Sequence, residues 1–186
     1  MIGPWREQRK RAGRVTIRLR ADGSFVPGFT PLPFNLEGFL EAPLVARLAT
    51  RSLVQPDAGG PVVRPVWFLW EARAFWVITG PWSSLEAELR RDPRFCLVVD
   101  TCDLQTGTVR QVIARGRGGV QEFDIDRARR KLTRYLGSDE SVWDPRFALH
   151  TDRAARGNRL ATLSPTRLDM ADLSYRPSHS PPGRNE

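Results

Sequence analysis

The 186-residue chain is predicted to be mainly β with peripheral helices (β+α), its antiparallel strands closing or nearly closing into a barrel. Three observations point there. Between residues 44 and 120, apolar or alternating runs recur with Gly, Pro and Asp between them, the pattern of strands and turns. The first three runs have short connections, which favours antiparallel neighbours. Helical spacing is confined to a few capped segments, and a chain of this kind hides its strand edges best by closure.

Taken in order, Val15, Ile17 and Leu19 alternate with Thr16, Arg18 and Arg20, and Asp22-Gly23 offers a hairpin turn before Phe25-Val26. Pro27, Pro31 and Pro33 then stop regular structure. Asn35 is a candidate N-cap for a short helix over 36–41, with Pro43 beyond it. Strands are expected over 44–53, 62–70 and 74–79, separated by the Pro-, Gly- and Asp-containing loop 55–61 and by a turn at Glu71-Ala72-Arg73; together they make a meander. Ser83-Ser84-Leu85-Glu86 matches a capping box, a hydroxyl at the N-cap and a carboxylate three residues on, and opens a helix through Arg91 that Pro93 ends.

Two apolar strands follow over 95–101 and 108–120, the second loosened by Gly118 and Gly119. Ile125, Ala128, Leu132 and Tyr135 then recur at helical spacing over 124–136, with Gly137 as the C-cap. The cations of this helix, Arg127, Arg129, Arg130, Lys131 and Arg134, read as a solvated face. Residues 138–157 hold helical pieces around Val142, Trp143, Phe147 and Leu149, and 160–163 with 167–173 resemble a closing pair of strands. The chain thus divides into a basic arm with a hairpin (1–34), a barrel domain (35–175) and a Pro- and Ser-containing tail (176–186) expected to be disordered.

Composition narrows the function. A hydrophobic content of 40% is enough for one domain core. No run of 18 apolar residues occurs and the basic N-terminus lacks a signal-like apolar stretch, so a cytoplasmic protein with no membrane partner is expected. Of the net charge of +8, residues 1–20 carry +6: seven cations (Arg6, Arg9, Lys10, Arg11, Arg14, Arg18, Arg20) against Glu7. The charge therefore marks a short arm rather than a nucleic-acid face, and the arm lacks aromatic–basic interleaving beyond Trp5. Cys96 and Cys102, the only cysteines, would lie roughly 20 Å apart on an extended segment, too far for a disulfide. With no further ligand at metal spacing, no metal is expected. His150 and His179 are isolated; haem binding would need an axial ligand such as His150.

The runs Val45-Ala46-Arg47-Leu48-Ala49-Thr50, Pro61-Val62-Val63-Arg64-Pro65-Val66-Trp67-Phe68, Phe75-Trp76-Val77-Ile78-Thr79, Leu89-Arg90-Arg91-Asp92-Pro93-Arg94 and Leu97-Val98-Val99-Asp100, continuing through Val112-Ile113-Ala114-Arg115-Gly116, resemble the pyridoxamine-phosphate-oxidase-like split barrels in wording and order. That resemblance implies an antiparallel, homodimeric split β-barrel with a cofactor in a groove between subunits. It further implies an oxidoreductase acting on a small organic substrate through flavin mononucleotide (FMN) or the deazaflavin coenzyme (factor 420). The Pro-Val-Trp-Phe strand and the Leu-Arg-Arg-Asp-Pro-Arg run are more similar to the deazaflavin-using branch. Arg64, Pro65, Val66, Trp67, Thr79, Ser83 and Ser84 are the cofactor-binding residues it implies, with Arg64 at a basic position that contacts phosphate in relatives. Thr79, Gly80, Ser83 and Ser84 fall at a helix start, where unpaired N–H groups favour an anion. No catalytic residue is implied, which suits chemistry that belongs to the cofactor.

The match also departs from the family. Many relatives read Ser-Arg-Lys with Asn three residues later, whereas this chain has Ser83-Ser84-Leu85 and Glu88, and Leu69 replaces a lysine of the oxidases proper. Charge-assisted phosphate contacts contribute about 1.5–3 kcal/mol each, so losing two or three weakens cofactor binding steeply unless Arg64, Arg90, Arg91 or Arg94 compensates. The second reading is accordingly a cofactor-free split barrel that binds or assembles with a partner. Trp67, Trp70, Trp76, Trp82 and Trp143 either wall a ring-binding cavity or fill core and interface.

Overall fold

Alternating burial builds the strands. In β2 (Val45–Thr50) Ala46, Leu48 and Thr50 point inward, and in β6 (Arg94–Asp103) Phe95, Leu97 and Val99 do the same. The computed structural model describes residues 14–20, 31–53, 60–149 and 157–177. Its other strands are β1 (Arg14–Arg18), β3 (Val62–Trp67), β4 (Leu69–Glu71), β5 (Ala74–Thr79), β7 (Thr108–Gln121) and β8 (Arg159–Asp172). Its helices are α1 (Leu36–Glu41), α2 (Leu85–Arg91) and α3 (Ile125–Leu136), with 3₁₀ turns at Glu140–Val142 and Pro145–Phe147. The second strand of the expected hairpin, His150, His179 and most of the tail lie outside the described residues.

The strands form one antiparallel sheet ordered β3-β2-β6-β7-β8-β5-β4, with β1 added along β8. Its two ends, β3 and β4, are joined by Phe68 alone, so the sheet must curl round until its edges meet. The result is a mainly β barrel, split at a seam between β3 and the β4–β5 pair, with helices at its periphery. Inside lie Leu48, Phe75, Val77, Leu97, Val99, Val112, Leu163, Leu168 and Met170. On the outer face of β5 and β8, Ala74, Trp76 and Leu160 form a second cluster with Ile78 and Phe123. Helix α3 covers this outer face, the Arg127 guanidinium standing 3.8 Å over the Trp76 ring.

Several expectations are corrected. The strand over 62–70 breaks at Phe68, and there the α3 residue Tyr135 replaces ladder partners: its hydroxyl accepts from the Phe68 N–H at 3.1 Å and lies 2.8 Å from the Leu44 carbonyl and 3.0 Å from that of Phe68. The three-strand meander is therefore interrupted; β5 pairs with β8 and β4, not with β3. The closing pair over 160–173 is one continuous strand. Pro165 fits within it because β8 bulges beside it: Arg115 and Gly116 of β7 pair with Arg167 and Pro165, leaving Thr166 as the extra residue. The closest backbone approach is at Gly116, where a Cβ would lie 2.0 Å from the Ser164 carbonyl oxygen; at Gly118 it would meet the Leu163 side chain at 2.7 Å, and at Gly119 it would meet nothing within 4 Å.

Helix α3 ends at Gly137 as expected, at φ 90°, and begins after Asp124, whose side chain caps it by accepting from the Arg127 N–H at 2.9 Å. Its cations are not a solvated face, however. Arg127 and Arg130 both bind Glu71, Arg134 donates to the Leu40 carbonyl, and Lys131 is buried. No helix among the described residues is long and apolar enough to cross a membrane.

Candidate functional site

Strand alternation splits the residues expected at the site. In β3, Arg64 and Val66 share the inner face with Leu48 and Ala46 opposite them, while Val63, Pro65 and Trp67 face outward. Pro65, with no N–H to give, is tolerated because β3 is an edge strand. In β5, Thr79 points inward with Phe75 and Val77 and is 1% exposed; its hydroxyl has no hydrogen-bond partner among the described residues. Arg64 and Trp67 therefore serve different places.

The inner place is a closed polar cluster. Glu88, on the buried side of α2, is 2% exposed and accepts from Arg64 Nη2 at 2.5 Å, Thr50 Oγ1 at 2.5 Å and Ser84 Oγ at 2.7 Å. Burial pushes its carboxyl up, but the hydrogen bonds from Arg64, Ser84 and Thr50 pull it down further, so it stays charged below the usual carboxylate range. The capping box does not form: Ser84 is the N-cap but spends its hydroxyl on Glu88, and Ser83 Oγ accepts from the Leu85 N–H at 3.2 Å. Leu85 is 1% exposed and belongs to the core.

The outer place is a cavity of about 540 Å³ at the seam, within the range of small-ligand sites. Trp67 and Ile78 from the two sides of the seam, Lys131 and Leu132 from α3, and Phe147 and Arg146 from the following turn line it, with Trp82 at its side. Trp67 stacks on Tyr135 (4.7 Å between ring centroids, 2° between planes) and on Phe147 (5.4 Å, 27°). Lys131 is 5% exposed, and among the described residues it has no ion pair or hydrogen bond; its Nζ lies 5.9 Å from the Trp67 ring centroid. Burial pulls its ammonium down to about 8. Arg146, by contrast, is paired with Asp144 at 2.9 Å.

A third hollow, an open groove of about 490 Å³, runs past Thr50, Arg51, Pro61 and Cys96. Its cation Arg94 is held by Asp92 at 2.6 Å, and that pair keeps the Asp92 carboxyl well below its usual range. Arg90 is likewise paired, with Glu86 at 2.6 Å, and Arg91 donates to the Leu53 carbonyl. Among the described residues no cluster of three or more His, Cys, Asp or Glu side chains is placed to hold a metal.

Comparison with known proteins places this architecture. The family profile described as pyridoxamine 5'-phosphate oxidase matches residues 32–165, more than half of the chain. The chain belongs to that family. As a pyridoxamine 5'-phosphate oxidase family member it shares its fold with solved structures at low identity. One is a conserved hypothetical protein from Mycobacterium tuberculosis (22% identity, TM-score 0.61, covering 91% of this chain and 99% of that one). Others are the flavocytochrome Anf3 from Azotobacter vinelandii (15%, 0.55, 91% and 92%) and an FAD and heme binding protein from Mycobacterium smegmatis (16%, 0.55, 78% and 73%). No curated protein sequence matches the chain.

The phosphate of an FMN-like group does not fit the expected clamp. Arg64 already holds an internal carboxylate, Ser84 holds the same one, Thr79 is buried inside the barrel, and Leu85 has no donor to give. A phosphate dianion beside ionised Glu88 would meet repulsion at short range. Among the residues implied by resemblance, only Trp67 reaches the cavity. Lys131 and Phe147 were missed, although Lys131 stands three residues after Ala128 and four before Tyr135, on the buried stripe of α3.

Proposed function

We propose that the chain is a flavin-type oxidoreductase acting on a small organic substrate. It works as a homodimer with the cofactor ring lying along β3 between two copies and the substrate in the adjoining seam cavity. The observation that carries this reading is the aromatic-walled cavity beside an edge strand whose outer backbone groups have no ladder partner among the described residues, in a chain of this family. A bound flavin-type ring supplies the two-electron chemistry; the chain supplies a flat, largely apolar wall and a place shielded from water. The cofactor is anchored by its ring and not by a phosphate at Arg64, and the sequence of β3 favours the deazaflavin coenzyme over FMN. Absorbance titration with FMN, FAD and the deazaflavin coenzyme tests this: a saturable band shift with one of them, lost on dilution to monomer, is expected. No shift with any of the three would overturn it.

The alternative, a cofactor-free binding protein of the same fold, is favoured by one observation, the closure of Glu88 on Arg64. It predicts no shift in the wild type and, in Glu88→Gln, a gain of FMN binding at the released Arg64.

A further inference from the structure

Among the described residues nothing pairs with the charge of Lys131. A buried ammonium is normally neutralised by a carboxylate or satisfied by three acceptors. The arginines of α3 each have at least one partner: Arg127 and Arg130 share Glu71, Arg129 binds Asp126 at 2.8 Å and Glu140 at 2.7 Å, and Arg134 reaches the Leu40 carbonyl, although the Nε atoms of Arg127 and Arg134 are buried without one. Lys131 alone faces the cavity, with the Trp67 ring as its neighbour. Among the described residues no carboxylate lines that cavity. Two carboxylates that hold neighbouring cations are committed to them, Glu71 to Arg127 and Arg130, and Asp144 to Arg146.

The walls define the shape of what would satisfy it. Trp67 stacks on Tyr135 and, inclined by 27°, on Phe147, so Trp67 and Phe147 give the cavity one continuous aromatic wall against which a planar group can lie. Leu132 and Ile78 add apolar sides that exclude strongly hydrated ions. A site with one buried cation, no anion and flat apolar walls selects a flat molecule carrying a single negative charge.

We propose that the seam cavity binds a small planar organic anion, an aromatic carboxylate or its like, with Lys131 as the counter-ion and the joined rings of Trp67 and Phe147 as its aromatic wall. This deepens the redox reading by naming its substrate class and rests on that reading only for the role of substrate. Binding itself is measurable with no cofactor present.

The test is calorimetric titration of the full chain with 2-naphthoate and, as its neutral counterpart, 2-naphthamide. The wild type should bind the naphthoate at least about tenfold more tightly, equivalent to about 1.4 kcal/mol. Lys131→Met, which keeps the length of the side chain without its charge, should abolish that preference while retaining its melting transition. Lys131→Arg should restore part of it. Ile78→Trp, which fills the cavity and leaves Lys131 in place, should block both probes. Equal affinity for the two probes in the wild type, no binding of either, or a preference that survives in folded Lys131→Met or in Ile78→Trp would each overturn the proposal. Failure of these titrations with flavin binding intact would remove the substrate class alone; naphthoate binding without any flavin-type binding would remove the redox reading alone.

Discussion

Two cations flank the seam of the barrel, Arg64 on the inner face of β3 and Lys131 on α3 outside it. The chain treats them oppositely. Arg64 is answered from within: Glu88 binds it at 2.5 Å and takes two hydroxyl donors besides, Thr50 and Ser84, so the cluster is closed on itself. Lys131 is more deeply buried and has only an aromatic face for company. A charge that is paired internally reports on the fold, whereas one left unpaired in a cavity reports on what the cavity is for. The place where the family resemblance leads one to expect an anion is therefore the place least able to accept one.

The largest effect should come from breaking the paired side. Glu88→Ala leaves Arg64 without its buried partner and should cost about 3 kcal/mol in urea unfolding; a cost under about 1 kcal/mol would mean that the cluster contributes little. Because the Glu88 carboxyl is held below its ordinary value, its contribution is complete above the unfolded-state pKa of about 4.3 and is lost as pH falls through the folded value. The wild type should lose stability across that acid window faster than Glu88→Ala does.

The unpaired side should show the opposite sign. With the Lys131 ammonium pulled down to about 8, the unfolded chain binds more protons than the folded one between about pH 8 and the unfolded value of about 10.4. Stability should rise with pH across that window, by up to about 3 kcal/mol, in the wild type relative to Lys131→Met. At pH 7 Lys131→Met should be at least as stable as the wild type. A flat difference between the two would contradict a desolvated ammonium.

Smaller effects sharpen the boundary between the two places. Tyr135→Phe removes the hydroxyl that serves Phe68 and Leu44 at the seam and should cost about 2 kcal/mol in thermal or urea unfolding. Trp82→Ala removes a side chain that is 65% exposed and should change stability by less than about 0.5 kcal/mol. Its effect should appear as a several-fold loss of naphthoate affinity; unchanged affinity would take Trp82 out of the cavity wall.

Much of the architecture is legible in the sequence because it is written locally. The apolar runs of β6 and β7, the Asn35 cap and the Gly137 stop act within one turn or one strand, and they appear where expected. What could not be read depends on residues far apart in sequence. Pro165 breaks the local strand pattern and is accommodated by a bulge at Thr166 of β8, seen only when β7 is paired beside it. Glu88 looks like an ordinary helical carboxylate until the fold brings it against Arg64, 24 residues away. Phe68 interrupts a strand because Tyr135, 67 residues later, takes over its hydrogen bonds. Lys131 was hidden differently, among four arginines that share its charge but not its place on the helix.

The chain contains only two lysines, Lys10 and Lys131, so the central claim can be tested by titrating the protein labelled with ¹³C at lysine Cε and following both signals by NMR, with Lys131→Met assigning them. The account predicts a midpoint near 8 for Lys131, moving upward when 2-naphthoate is bound. A midpoint at the ordinary lysine value of about 10.4, unmoved by the ligand, would contradict it.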